Sequence, residues 1–219
     1  MRKLALAIAF IILFSGCYKS KEPEGSMVKA TGASTVLEHY GMVYNKLYEL
    51  PNNKQIYYND YKNILFKSGD NHILLNNTGK DESASSSPVL SPNRKNIAYI
   101  SPYEFELNGN VYVFDTDTEI AKKVIQVDIK QEDSAKVVKW LDDDRLLVII
   151  GYGKGTVSRG GNLYLYNLKT DELKTLKRAD EKEEIVDVNT GKGELLLDVI
   201  TWDEEFIKYT TKQVRLKHE

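Results

Sequence analysis

Few residues in this 219-residue chain have types and spacings suited to chemistry. A glycine-rich run, Gly151-Tyr152-Gly153-Lys154-Gly155-Thr156-Val157-Ser158-Arg159-Gly160-Gly161, combines backbone freedom with two cations. Lys154 and Arg159 are its candidate contacts for a phosphate or carboxylate. A phosphate-binding P-loop needs Gly-Lys followed at once by Ser or Thr and then a helix. Here Gly155 follows Lys154 and a strand-type run follows the loop, which disfavours nucleotide binding and leaves a long inter-strand loop as the alternative. Asp142-Asp143-Asp144 could hold a hard cation, but aspartates are also favoured in hairpin turns, where they hydrogen-bond locally. Asp115, Asp117 and Glu119 alternate like the start of a calcium loop, with Ile120 where the sharp-turn glycine belongs. His39, His72 and His218 lack metal-ligand spacing, and no Gly-x-Ser-x-Gly elbow is present. From sequence, then, no catalytic, cofactor or metal residue is expected.

Cys17 is the one cysteine, and it follows a distinctive leader. Arg2 and Lys3 make a positive start, and residues 4–14 are eleven consecutive apolar residues, the length of a signal-peptide core. As a helix they would rise about 16 Å, too short for a bilayer core of about 30 Å. The run ends in Leu13-Phe14-Ser15-Gly16-Cys17, which resembles the lipobox of bacterial lipoproteins, with Phe14 where Leu is commonest. The resemblance implies that the Cys17 sulfur forms a thioether to diacylglycerol, that cleavage falls between Gly16 and Cys17, and that the acylated (palmitate-type) terminus anchors the chain on the extracytoplasmic face of the cell membrane. Two acyl chains anchor stably where one is marginal. An uncleaved amphiphilic anchor and an ordinary secreted protein are the alternatives.

Once Cys17 is acylated, the mature domain has no thiol, hence no disulfide, zinc-thiolate site or cysteine nucleophile. Cleavage removes two of the 30 basic residues and none of the 32 acidic ones, taking the formal net charge from −2 to −4. A mildly acidic domain is a poor binder of nucleic acid or anionic lipid. Three segments are expected: a signal peptide (1–16), a lipidated cysteine with a solvated tether rich in Lys, Glu, Gly and Ser (17–33), and one folded domain (34–219).

Within the domain, apolar positions from Val36 to Tyr48 follow a three-four spacing, with Thr35 and Glu38 placed as a capping box. This predicts one short N-terminal amphipathic helix over residues 35–48, although Tyr and Val suit strands nearly as well. Downstream, β-branched and aromatic runs alternate with Asn, Asp and Gly turns from residue 55 to residue 216, the pattern of antiparallel strands. Gly109-Asn110-Val111-Tyr112-Val113-Phe114-Asp115 is echoed fifty-two residues later by Gly161-Asn162-Leu163-Tyr164-Leu165-Tyr166-Asn167. Upstream of each lies a strand-turn-strand unit, Leu90-Ser91-Pro92-Asn93-Arg94-Lys95-Asn96-Ile97-Ala98-Tyr99 and Trp140-Leu141-Asp142-Asp143-Asp144-Arg145-Leu146-Leu147-Val148. Recurrence in the same order marks a repeat.

These residues resemble the TolB-like, WD40-like β-propeller repeat, with residues 88–124 the better copy and 136–176 the degenerate one. Asn93 and Arg94 stand where that repeat has Asp-Gly, and the second copy has neither Pro nor Gly in its turn. The resemblance implies a mainly β fold of antiparallel four-stranded blades, a small or incomplete propeller, because about 186 residues at a period near fifty give fewer than four full blades. The whole is similar to small Gram-positive lipoproteins carrying a domain of unknown function.

Two functions follow as expectations. The first is a noncatalytic binding module anchored through Cys17, presenting a blade edge, a central mouth or the 151–161 loop to an envelope protein or ligand. The second is an envelope enzyme, hydrolase-like, with carboxylates converging from separate blades.

Overall fold

A computed structural model describes residues 35–75, 84–155, 157–191 and 193–217. Gly16, Cys17, the leader, the tether and His218 lie outside the described residues. Four antiparallel sheets follow one another along the chain, and within each the strand order is the chain order, so neighbouring strands are joined as hairpins. Blade 1 comprises an extra strand, β1 (Val36–His39), followed by the four that correspond to the first to fourth strands of the other blades, β2 (Met42–Leu50), β3 (Lys54–Tyr58), β4 (Ile64–Ser68) and β5 (Asn71–Leu74). Blade 2 is β6 (Val89–Leu90), β7 (Asn96–Ser101), β8 (Asn110–Asp115) and β9 (Ile120–Ile125). Blade 3 is β10 (Asp133–Trp140), β11 (Arg145–Tyr152), β12 (Asn162–Asn167) and β13 (Glu172–Lys177). Blade 4 is β14 (Glu183–Thr190), β15 (Glu194–Trp202) and β16 (Tyr209–Lys217).

The expected N-terminal helix is a hairpin instead. Tyr40 and Gly41 link β1 to β2 with φ of 48° and 73°, and His39 pairs directly with Met42. A two-residue turn with positive φ at both positions has the twist that paired strands need. Period two then replaces the three-four spacing: Leu37, Met42 and buried Tyr44 pack with Tyr57, Leu65 and Leu74 on one face of the curled sheet. No capping box forms, since the Thr35 carbonyl accepts the Lys46 N–H at 2.8 Å. Among the described residues the only helix is a 3-10 turn, Ile129–Gln131, and none is long and apolar enough to cross a membrane.

Each remaining core joins two neighbouring blades. Ile56, Ile64 and Phe66 of blade 1 pack on Ile97, Tyr99 and Phe114 of blade 2. Ala98 and Ile100 point the other way, toward Val138, Trp140 and Val148 of blade 3. Leu147 and Ile149 then meet Val188, Leu195 and Leu197 of blade 4. Strands β7 and β11 are therefore apolar on both faces, which explains their unbroken hydrophobic runs.

The repeat is real at the level of geometry. β8 and β12, the two halves of the Gly-Asn echo, are both third strands. Their pairing with β9 and β13 slips by one residue at the same place, Val111/Tyr112 and Leu163/Tyr164. First strands carry a matching bulge at Lys46/Tyr48, Ala135/Val137 and Ile185/Asp187. Asn110 Oδ1 accepts the Val127 N–H at 3.1 Å, and Asn162 Oδ1 accepts the Ala179 N–H at 2.9 Å, so both asparagines tie down the chain leaving their blade.

One backbone contact recurs at every blade junction. The N–H of Ser85 donates to the Lys62 carbonyl at 2.8 Å, that of Ala135 to Gly109 at 2.9 Å, and that of Ile185 to Gly161 at 3.0 Å. In each pair the acceptor lies within two residues of the start of the third strand of one blade, and the donor lies in the chain entering the next. At the last junction Gly161 also donates to the Ile185 carbonyl at 3.0 Å, making a two-bond bridge. A Cβ on Gly161 would lie 2.1 Å from the Ile150 carbonyl oxygen and 2.6 Å from the Gly151 Cα. Gly161→Ala is therefore expected to destabilise the domain by about 3 kcal/mol, since inserted core atoms force backbone shifts. Gly69→Ala, at φ 58° with nothing within 4 Å of the new methyl, should cost about 1 kcal/mol. Urea denaturation of both variants checks the difference, and equal losses would mean that close approach at Gly161 is unimportant.

Blade 1 curls until its outermost strands meet: the rings of His39 (β1) and His72 (β5) lie 4.8 Å apart, edge to face. Burial, the neighbouring His39 and Lys67 hold the His72 pKa below its usual 6.5, against the opposing pull of Asp70. The folded state thus favours neutral His72, and the stability this adds is present above pH 6.5 and lost as pH falls through the lower folded value. Between pH 7.5 and 5.5 the urea midpoint should fall, and His72→Gln should flatten that dependence; an unchanged slope would exclude His72 as its source.

Candidate functional site

The two ends of the blade array differ in kind. At one end, short turns join first to second and third to fourth strands, and their polar side chains hydrogen-bond locally. Asp115 Oδ1 accepts the Asp117 and Thr118 N–H groups at 2.8 and 2.9 Å, and Asn167 Oδ1 accepts the Lys169 N–H at 2.9 Å. Asp142 Oδ1 takes the Asp144 N–H at 3.0 Å, while its Oδ2 takes Arg145 Nε at 2.7 Å. That backbone bond and the Arg145 cation hold the Asp142 carboxyl below its ordinary value even though burial opposes them. Asp143 Oδ1 reaches the neighbouring blade, accepting the Asn93 N–H at 2.7 Å. The triple aspartate therefore builds a turn, and the same reading covers Asp115 and Asp117. Among the described residues no three His, Cys, Asp or Glu side chains group as metal ligands.

The other end carries the longer loops between second and third strands, residues 59–63, 102–109, 153–161 and 203–208. The exposed large hydrophobic side chains gather here: Tyr61, Phe105, Leu107, Val157, Phe206 and Ile207 are all on these loops, and Phe105 is 65% exposed. At the opposite end the short turns themselves carry none, and only Ile120 and Leu173, at the starts of β9 and β13, are exposed there. Exposed apolar groups concentrated on one surface mark an interaction site.

In this end, between blades 2 and 3, lies a cleft of about 430 Å³, within the size range of small-molecule pockets. Pro102, Tyr103, Phe105 and Leu107 form one wall, Gly153, Gly155 and Ser158 the other, and Ser134, Ala135 and Lys136 line the base. The junction described above sets that base. Gly109 N–H donates to Ser134 Oγ at 3.0 Å and the Ala135 N–H donates to the Gly109 carbonyl, which pins both residues before the bulge. Lys136 is the bulge residue, and bulges re-aim side chains. It is half-buried, and burial lowers its ammonium pKa, with Glu184 pulling the other way.

The candidate loop contacts Lys154 and Arg159 are brought to opposite sides of the glycine-rich run. Lys154 Nζ donates to the Glu106 carbonyl at 2.6 Å, and the Gly155 N–H donates to Glu106 Oε1 at 3.2 Å, tying the loop to blade 2. Arg159 leans toward blade 4: its guanidinium sits 5.0 Å from the Tyr209 ring centre and donates to the Tyr209 hydroxyl at 3.0 Å. Glu184 Oε2 accepts the Arg159 and Gly160 N–H groups at 2.7 and 2.9 Å. The glycines let the chain pass close to its neighbours: a Cβ on Gly160 would lie 2.1 Å from the Ile185 carbonyl oxygen. Trp140 and Trp202 serve packing. Trp140 Nε1 donates to the Val89 carbonyl of blade 2 at 2.9 Å, and Trp202 lies edge-on to Tyr209 at 5.0 Å.

The sequence reading missed Lys136, Lys62 and the 102–107 wall. Lys136 sits inside a strand-type run with nothing local to distinguish it; the signal lies in the repeat, where the residue after each junction donor is Ser86, Lys136 and Val186. Glu184→Gln weakens one charge-assisted anchor of the 153–161 loop. Amide exchange at Arg159 and Gly160 should accelerate by about tenfold, the equivalent of about 1.4 kcal/mol; unchanged exchange would show the loop to be held from the Glu106 side alone.

Four sequential antiparallel sheets packed face to face in an arc define a β-propeller-like domain with a cleft at its long-loop end. Residues 103–216 match the model of a domain of unknown function (DUF4652), which spans more than half of the chain, and the chain belongs to that family. No curated protein matches it. Among solved structures it is similar to a Clostridium novyi NT protein described as a "putative conserved lipoprotein", at 22% identity and TM-score 0.58, over 66% of this chain and 93% of the other. The β-propeller domain of the Trilobed protease from Pyrococcus furiosus matches at 15% identity and TM-score 0.49, covering 84% of this chain and 54% of that one. TolB from Acinetobacter baumannii matches at 11% identity and TM-score 0.42, covering 83% and 42%. The Clostridium novyi NT structure shares the fold across nearly its whole length.

Proposed function

We propose that this chain is a lipoprotein anchored through Cys17 on the extracytoplasmic face of the cell membrane, and that its propeller-like domain is a binding module using the long-loop end. The observation that carries the binding reading is the asymmetry of the two ends. One is closed by self-satisfied polar turns, whereas the other presents exposed aromatic and aliphatic side chains around a cleft. The anchor rests on the basic and apolar leader ending at Gly16-Cys17, and the description of the Clostridium novyi NT relative agrees with it.

A hydrolase of converging carboxylates would look to Glu104 and Glu106, the two that line the cleft. Each already accepts a backbone N–H, Glu104 from Ala84 at 2.8 Å and Glu106 from Gly155 at 3.2 Å. That employment as loop clamps favours the binding reading.

The anchor is tested by labelling cells with a clickable palmitate analogue. Wild-type protein should take up label and sediment with membranes; Cys17→Ser should lose the label and accumulate as unprocessed precursor. Labelling and membrane retention of Cys17→Ser at wild-type levels would overturn the lipoprotein reading.

A further inference from the structure

Resting on the reading of the long-loop end as a binding surface, we propose that the cleft between the 102–107 and 153–158 loops takes a small organic carboxylate with a flat apolar body, and that Lys136 is its ion-pair partner.

Charge placement carries the first half of the argument. Ten ion pairs hold the described surface together, yet none involves Lys62, Lys136, Lys154 or Arg159, the four cations around this cleft and its glycine-rich wall. Lys62 rests over the Tyr103 ring at 5.5 Å, and Lys154 and Arg159 are occupied by a carbonyl and a tyrosine. Lys136 has no such neighbour among the described residues. The nearby acids are used differently, because Glu104, Glu106 and Glu184 each accept backbone N–H groups that hold loops in place. The base of the cleft thus carries a half-buried ammonium that Glu184 offsets only in part, in a setting where an anion gains more than it would in open water.

The fold does not call for that ammonium. At the corresponding bulge positions of blades 1 and 4 stand Leu47 and Val186, both uncharged. Bulge geometry is therefore satisfied by apolar residues, and a lysine here answers to something other than sheet packing. Its partly buried charge costs stability, as the lowered pKa of its ammonium shows.

The rest of the cleft sets the ligand's shape and valence. The wall of Pro102, Tyr103, Phe105 and Leu107 offers flat apolar surface beside the ammonium. The Gly153 and Gly155 N–H groups already donate to Glu132 and Glu106. A half-buried Lys136 ammonium, with Lys62 resting on Tyr103 and the Gly153 and Gly155 N–H groups already taken, matches a monoanion such as a carboxylate better than a phosphate dianion, which needs several donors at once.

The test uses the full-length protein with benzoate, phenyl phosphate and benzyl alcohol as probes, followed by NMR of the Lys136 side chain and by calorimetry. Benzoate should bind at the cleft, raise the ammonium pKa of Lys136 and bind at least about tenfold tighter than benzyl alcohol. Lys136→Met should abolish that preference, and Lys136→Arg, which keeps the charge, should retain it, so loss of folding in the Met variant alone would not decide the matter. If benzoate and benzyl alcohol bind the cleft equally, or Lys136→Met leaves benzoate affinity unchanged, the carboxylate inference fails while the binding surface stands. Binding of phenyl phosphate in preference to benzoate would also overturn it. If no probe perturbs any residue of the long-loop end, the carboxylate inference and the binding-surface reading fail together.

Discussion

The architecture depends on one backbone hydrogen bond repeated at each blade junction, from the chain entering a blade to the carbonyl just before the third strand of the preceding one. Apolar packing holds neighbouring sheets together but is tolerant of sliding, since Leu, Ile and Val surfaces have no direction. A hydrogen bond between fixed backbone atoms removes that freedom and sets how far each blade turns relative to the last. Its requirements propagate outward. Gly109 and Gly161 are needed because the preceding strand of their own blade comes too close for a side chain, through Ile100 and Pro102 in one case and Ile150 and Gly151 in the other. The donors Ser85, Ala135 and Ile185 are all fully buried, so their N–H groups would be orphaned without these acceptors.

The same junction explains why the two ends behave differently. Chain entering a new blade crosses from one sheet to the next at the end where second and third strands are joined. Loops there must clear this crossing, so they are long and leave a gap between blades 2 and 3. At the opposite end each hairpin closes on itself, and an Asx-type contact from Asp115, Asn167 or Asp142 suffices. Glu119 and Asp171 complete two of those turns in the left-handed region, at φ 59° and 54°. Cross-blade ties such as Asp143 to Asn93, and Lys122 to Asp171 at 3.1 Å, use the short turns as fixed posts. Asp171 also accepts the Tyr166 hydroxyl at 2.6 Å, and that bond with the Lys122 cation holds its carboxyl below the usual range.

Much of this was legible wherever side chains alternate against a core on both faces. Within the stretch that reads as antiparallel strands, the runs 96–101, 110–115 and 162–167 are β7, β8 and β12, apolar, compact and bounded by Asn, Asp or Ser. Blades 1 and 4 lie outside the 88–124 and 136–176 copies and complete the array. Sequence failed in two kinds of place. The β1–β2 hairpin turns at Tyr40, which is not a turn residue by composition, and its apolar spacing fits a helix as well as a strand. β9 is an outer strand whose first four residues, including Lys122 and Lys123, are exposed, so it has no apolar face to read. Lys154 and Arg159 stood out because glycines surround them, whereas Lys136 was hidden inside a strand.

Blade 1 shows how an open arc manages a face with no neighbouring blade on it. Among the described residues no apolar cluster joins blade 1 to blade 4. Blade 1 instead folds its extra strand β1 inward until His39 reaches His72, and Leu37, Met42 and Leu74 cover Tyr44, Tyr57 and Leu65. Asn59 and Asn63 close that small core by directing their amides at the Met42 sulfur, at 3.7 and 3.6 Å. The curl does for one sheet what ring closure does for a full propeller, burying a second face without a partner sheet. Because blade 1 is finished in this way, the gap between blades 2 and 3 need not shift to accommodate a ring. Its geometry is set locally, by Gly109, Ala135 and the loop clamps Glu106 and Glu184, and this is the arrangement expected of a site whose shape must persist without a ligand.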